Sequence, residues 1–235
     1  MKVFSATSPR SRNARARVHL VPIALGGACT VGAIALVTYL LWPTWAEEDL
    51  STPTKLPVSI GGTIFNVPTA AIRMKIQSHA GPQERIDLDF LYPSLQPPGP
   101  PKRVTANTVD EAMQPIDRIF LSIAAHNDEL APDARFNTIY PRYLEQTAPT
   151  EEDGLTMRKF RADTPYGSED LFSATDPGLN ARCTRDAATP GMCISERRIG
   201  GADLTFRFPR RWLNQWRNVA AAMDRLAGQL RGPKS

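Results

Sequence analysis

The sequence predicts an α+β, β-rich domain carried behind a single N-terminal membrane helix. Three observations predict it: an uncharged apolar run from His19 to Trp42, a succession of short stretches that alternate apolar and polar residues, and a switch to helical spacing after Pro209. Alternation with a period of two marks half-buried strands, whereas recurrence at three or four residues marks an amphipathic helix.

The first run contains no Asp, Glu, Lys or Arg and matches the roughly 20 residues needed to cross a bilayer. The apolar region of a cleaved secretory signal is shorter, about 7–15 residues, although small residues flank Trp45 at Thr44-Trp45-Ala46. A lipoprotein signal needs a cysteine just after a short apolar stretch, but apolar residues continue well beyond Cys29. Cys29 is therefore read as a free, small apolar thiol in the helix. Lys2, Arg10, Arg12, Arg15 and Arg17 precede the run, and Glu47, Glu48 and Asp49 follow it. Positive charge stays cytoplasmic, and Tyr39, Trp42 and Trp45 suit the far headgroup layer. The expected organisation is a basic cytoplasmic tail over 1–17, a signal anchor over 18–43, a linker over 44–56, and an extracytoplasmic domain over 57–232. The inner membrane, with the N-terminus inside, is the expected location.

A net charge of +4 invites a nucleic-acid reading, but its distribution removes it. Five of the 28 basic residues lie in the first seventeen positions, and the other 23 face all 24 acids. The exported part is close to neutral, so the basicity belongs to the segment that orients insertion. The expected partners are the lipid bilayer and another envelope protein, with no nucleic acid.

Within the domain, "PVSIGGTIFNVP" (57–68) reads as a hairpin about Gly61-Gly62, with Val58, Ile60, Ile64 and Val67 facing inward. "AIRMKIQSH" (71–79) sets Ile72, Met74 and Ile76 opposite Arg73, Lys75 and Gln77, and "RIDLDFLY" (85–92) sets Ile86, Leu88 and Phe90 opposite Asp87 and Asp89. The three together are expected to form one antiparallel sheet with a wet face. The prolines of "LQPPGPPKR" (95–103) remove donors and fix the chain, which makes it a stiff exposed loop. "DRIFLSIAAH" (117–126), "LTMRKFRA" (155–162) and "EDLFSAT" (169–175) read as strands, while "FNTIYPRYLEQ" is ambiguous because Pro141 breaks it.

The C-terminal third carries the strongest signals. "ARCTRDAATPGMCIS" (181–195) places Cys183 and Cys193 on either side of a Pro-Gly turn. In an oxidising compartment that spacing reads as a disulfide; a zinc pair lacks two further ligands, and a redox couple favours CxxC. "ADLTFRFPRRW" alternates Leu204, Phe206 and Phe208 in a strand that Pro209 ends. A helix is expected over 210–231, with Trp212, Trp216, Val219, Met223, Leu226 and Leu230 on its buried face.

Chemistry-bearing motifs are sparse. His126, Asp128 and Glu129 in "AAHNDEL" offer a base, an orienting acid or a divalent-ion site, without the HExxH or paired-His spacing that metal hydrolysis uses. Ser59, Ser122 and Ser168 lie outside GxSxG, and "SIGGT" lacks the lysine of a phosphate loop. No cofactor is expected. The sequence thus favours a non-enzymatic, membrane-anchored envelope module that binds another protein, as an accessory subunit or an immunity-type protein. The alternative is an envelope hydrolase or metal-dependent enzyme around His126, Asp128 and Glu129.

Overall fold

A computed structural model describes residues 27–37, 54–99 and 116–231. The chain forms two compact units, Met1–Ser51 and Thr52–Ser235. In the first, residues 27–37 are helical and exposed, including Val31, Ile34 and the free Cys29. Among the described residues no helix is long and apolar enough to cross a membrane. The remainder of the expected anchor, the 1–17 tail and linker residues 44–53 lie outside the described residues.

The second unit is α+β and strand-rich. Strands β1 (Lys55–Ile60) and β2 (Thr63–Pro68) form the expected hairpin. Gly61 and Gly62 both have positive φ, 54° and 75°, the backbone that a two-residue hairpin turn demands. That turn pairs Ile60 with Thr63 and Val58 with Phe65. Paired residues share a face, so Phe65 is buried and Ile64 points outward, 54% exposed. This corrects the inward placement of Ile64: the turn length, not the local apolar pattern, sets the register.

The segment 71–79 is not a strand. It folds into two single 3₁₀ turns, Thr69–Ala71 and Lys75–Gln77, with Met74 and Ile76 exposed. Its alternation finds no second apolar layer to pack on. Instead it runs along the edge of β4 (Arg85–Leu91), where Ile72 bridges to Leu88 and the Gln77 side chain accepts from the Asp87 amide at 2.9 Å. A side chain thereby occupies an edge donor that another strand would otherwise use.

The three N-terminal stretches also do not share one sheet. The hairpin joins β3 (Gly81–Pro82), parallel to β1, in a three-stranded sheet of order β2-β1-β3. β4 belongs to an eight-stranded antiparallel sheet with β5 (Arg118–Ala125), β6 (Thr150–Glu152), β7 (Leu155–Lys159), β8 (Glu169–Ala174), β9 (Leu179–Thr184), β10 (Met192–Ile199) and β11 (Ala202–Pro209). The order is β4-β5-β11-β10-β9-β8-β7-β6: a meander from β6 to β11, closed onto the β4–β5 pair. The ambiguous stretch with Pro141 becomes a helical segment over 132–143, wound tightly at Tyr140–Tyr143.

A single 3₁₀ stretch, Arg210–Gln215, follows Pro209 and leads into the C-terminal helix, Trp216–Leu230. Trp216, Val219, Met223, Leu226 and Leu230 are buried as the spacing predicts. They share one core with Ile86, Leu88, Phe90, Ile119, Leu121, Ile123, Leu204, Phe206 and Phe208 of the sheet and with Val58, Ile60, Phe65 and Val67 of the hairpin. Arg231 is already extended and bridges to Phe65, which ties the helix end to β2.

The two sheets also meet at their turns. A Cβ at Gly61 would sit 1.9 Å from the Gly201 carbonyl oxygen, and one at Gly201 would sit 1.8 Å from that of Gly61. Thr63 completes the clasp by accepting from the Gly201 amide at 3.0 Å. Only glycine permits this approach of backbone to backbone.

Candidate functional site

Cys183 and Cys193 are directly opposed on β9 and β10 and are bonded, with Cα atoms 3.9 Å apart. The turn above them is held by Asp186, which accepts from the Gly191 amide at 2.7 Å, and by Thr184, which accepts from the Met192 amide at 2.9 Å. Below the bridge, Asp170 is 3% exposed and is enclosed by two guanidiniums, Arg185 at 2.9 Å and Arg210 at 2.6 Å. Arg210 also donates to the carbonyls of Cys183 and Thr184 and stacks over Phe172 at 4.9 Å. These contacts join the disulfide hairpin to the start of the C-terminal helix.

His126, Asp128 and Glu129 share one tight turn at the end of β5. Asn127 and Asp128 adopt positive φ, and the Asp128 amide donates to His126 Nδ1 at 3.2 Å. His126 Nδ1 is thus an acceptor in this turn, and the contact comes from Asp128's backbone, not its carboxylate. Asp128 and Glu129 are exposed, and Arg198, paired with the Asp203 carboxylate, donates to the Glu129 carbonyl at 3.0 Å. Among the described residues no group of three His, Cys, Asp or Glu side chains is arranged to hold a metal ion.

The face of the eight-stranded sheet turned away from the core is where functional side chains gather. Strand register aligns one row across it: Phe120 of β5 faces Arg207 of β11, Arg207 faces Ile194 of β10, and Ile194 faces Arg182 of β9. Arg182 faces Leu171 of β8, and Leu171 faces Arg158 of β7. Arginine and apolar side chains therefore alternate from strand to strand, close enough to act as pairs.

Half of this face is covered. The 132–143 segment lays Tyr140 over Leu171, and Tyr140, Leu144 and Phe160 close a second small core with Tyr143 and Tyr166 packed against it. The Arg182 guanidinium lies over the rings of Tyr140 and Tyr166 and donates to Glu169 at 2.5 Å. Burial raises the Tyr140 hydroxyl above the ordinary tyrosine value, and the positive charge of Arg182 only partly offsets it.

The other half is open. A hollow of about 460 Å³ is lined by Arg73, Phe120, Met192, Ile194 and Arg207, with the Arg182–Glu169 pair at one wall. It shares Arg73, Phe120 and Arg207 with a smaller hollow bounded by Arg85, Asp87, Ser122 and Thr205. The Arg73 guanidinium lies 4.9 Å above the Phe120 ring. Burial by itself would raise the Asp87 carboxyl, but hydrogen bonds from Arg85, Gln77 and Ser122 outweigh it and hold the group below the ordinary carboxylate range. A separate hollow, of about 630 Å³, lies at the start of the C-terminal helix between Tyr92, Trp212, Arg211 and Arg225, with Tyr92 and Trp212 stacked at 4.3 Å.

No protein-family model and no curated protein matches the chain. Solved structures do. The chain is similar to Smlt3025, an immunity protein of the Stenotrophomonas maltophilia type IV secretion system, at 14% identity and a TM-score of 0.51, covering 77% of this chain and 94% of that one. The likeness is one of fold. A second structure, the Neisseria meningitidis iron-regulated outer membrane lipoprotein FrpD, aligns at 10% identity and a TM-score of 0.38, covering 73% of this chain and 92% of that one.

Sequence reasoning missed Arg73, Phe120, Arg182 and Arg207 as a group. The row of Phe120, Arg207 and Arg182 exists only once strand pairing sets the register, and Arg73 joins it from a segment that is not a strand.

Proposed function

We propose that the chain is a single-pass, membrane-anchored envelope protein whose extracytoplasmic domain binds another protein in an immunity-type role. The observation that carries this reading is the fold, shared with an immunity protein across nearly all of that protein's length. Two features support the compartment: a disulfide, which persists in oxidising surroundings, and the uncharged run from His19 to Trp42 with basic residues before it and acids after it. In this reading 1–17 is cytoplasmic, 18–43 spans the inner membrane, and the 57–232 domain, to which β1 adds Lys55 and Leu56, stands off the membrane on the rest of the 44–56 linker.

Co-culture tests the reading. A strain deleted for the protein is mixed with its secretion-competent parent, and the deletion strain is expected to lose viability. Full-length protein restores survival, and a version lacking residues 1–43, retained in the cytoplasm, does not. Equal survival of the deletion strain beside its parent would overturn the immunity reading.

A further inference from the structure

We propose that the open half of the outer sheet face, centred on Arg73, Phe120 and Arg207, is the docking surface for an extended acidic segment of a protein partner, one face of which carries carboxylates and apolar side chains in turn. The proposal rests on the protein-binding reading above and names the chemistry of what is bound.

Charge complementarity carries it. The two adjoining hollows hold four arginines, Arg73, Arg85, Arg182 and Arg207, and two acids, Asp87 and Glu169. Both acids are taken: Arg85 grips Asp87 through two nitrogens, the closer at 2.7 Å, and Arg182 holds Glu169 at 2.5 Å. Arg73 and Arg207 are exposed, and neither guanidinium has a carboxylate partner among the described residues. They flank a single ring: Arg73 lies over Phe120 from the edge segment, and Arg207 stands directly across the strand pair from it.

Beyond Arg207 the hollow is largely apolar. Ile194 is the other cross-strand neighbour of Arg207, and Met192 lies beside it in the hollow. Methionine is an adaptable contact for an incoming apolar group. A guanidinium recognises a carboxylate through two parallel N–H donors, and its strength rises when neighbouring apolar groups exclude water. An extended partner segment places every second side chain on one face. A segment with a carboxylate at one position and a leucine-sized group two residues on therefore presents both from the same face, the carboxylates to Arg73 and Arg207 and the apolar groups to the hollow over Ile194 and Met192.

The test uses the full-length chain in detergent and an end-capped Glu-Ser-Leu-Ser-Glu-Ser-Leu-Ser peptide, whose glutamates and leucines share one face when extended, carrying a neutral dye and followed by fluorescence anisotropy. The acidic peptide is expected to bind and its lysine counterpart not to bind, with affinity falling as salt rises. The Arg73→Glu/Arg207→Glu chain is expected to bind the acidic peptide at least tenfold more weakly, and Arg73→Ala/Arg207→Ala at least threefold more weakly. Arg211→Glu/Arg225→Glu, at the separate hollow, is expected to stay within twofold of the parent. Absence of binding by the parent chain, unchanged binding by the Arg73/Arg207 variants, or an equal loss in the Arg211/Arg225 variant would overturn the proposal. With the detergent removed, flotation with phosphatidylglycerol vesicles gives a further arm: vesicle binding lost in the Arg73→Glu/Arg207→Glu chain while its peptide binding is unchanged would also overturn the proposal and assign the cations to a lipid surface. Failure of the immunity reading shows separately, as equal survival in co-culture; failure of the surface alone shows as full protection by the Arg73→Glu/Arg207→Glu chain.

Discussion

The two faces of the eight-stranded sheet are made by the same strands and do opposite work. On the inner face, Ile119, Leu121 and Ile123 of β5 and Leu204, Phe206 and Phe208 of β11 are almost wholly buried beneath the C-terminal helix. On the outer face, the same two strands present Phe120, Ser122, Thr205 and Arg207 to a hollow. One residue of displacement separates a position that holds the fold from one that is free to bind. Substitutions along a single strand are therefore expected to sort by parity, stability on one side and recognition on the other.

The largest expected effect is on the inner face. Trp216 is 3% exposed, and its indole N–H donates to the Asp153 carbonyl at 3.2 Å. Trp216→Ala removes both packing and that hydrogen bond, at a cost of about 3–5 kcal/mol. For a domain of this size that lowers the melting temperature by about 10 °C. An unchanged melt would show that the helix is not part of the core.

Asp170 follows. Asp170→Ala leaves Arg185 and Arg210 facing an emptied buried site, with an expected loss of about 3 kcal/mol; urea titration of the full-length chain would measure it. The paired Cys183→Ser/Cys193→Ser change opens a short loop and is expected to cost about 2–3 kcal/mol by the chain-entropy account. Non-reducing peptide mapping of the parent should recover the bonded pair with Cys29 free.

A smaller effect appears with acid on the outer face. Because the folded-state pKa of Asp87 is lowered, its contribution is present above the ordinary carboxylate value, near pH 4, and is lost as pH falls through the lowered folded value. Asp87→Asn should therefore lose some stability at neutral pH and show a shallower decline on acidification. Melts across pH 2–6 check the slope, about pH 4 marking where the two chains begin to converge.

The same comparison explains what was legible in the sequence. β4, β5, β11 and the C-terminal helix could be read because each has one face fully committed to the core, so Phe206 or Met223 repeats at the period of its element. The disulfide was legible because a Pro-Gly turn lay between its cysteines. The 71–79 segment misled because Ile72, Met74 and Ile76 alternate as strand residues do, yet only Ile72 finds a neighbour, Leu88, and Gln77 seals the β4 edge. Ile64 misled because the Gly61-Gly62 turn assigns Phe65 to the core. The Gly61–Gly201 clasp and the Phe120–Arg207–Ile194 row were not legible, since both arise from pairings between distant parts of the chain. His126, Asp128 and Glu129 are adjacent in sequence and stay together in space, but as a surface turn stitched by backbone amides.

The most direct test of the division between the two faces is one variant measured twice. Arg73→Glu/Arg207→Glu in the full-length chain should keep a melting temperature within about 4 °C of the parent, since neither guanidinium has a carboxylate partner among the described residues and an exposed cation–ring contact such as that of Arg73 with Phe120 contributes about 0.5–1 kcal/mol. The same variant should fail to protect the deletion strain in co-culture. A chain with the parental melting temperature and full protection would contradict the assignment of recognition to the outer face.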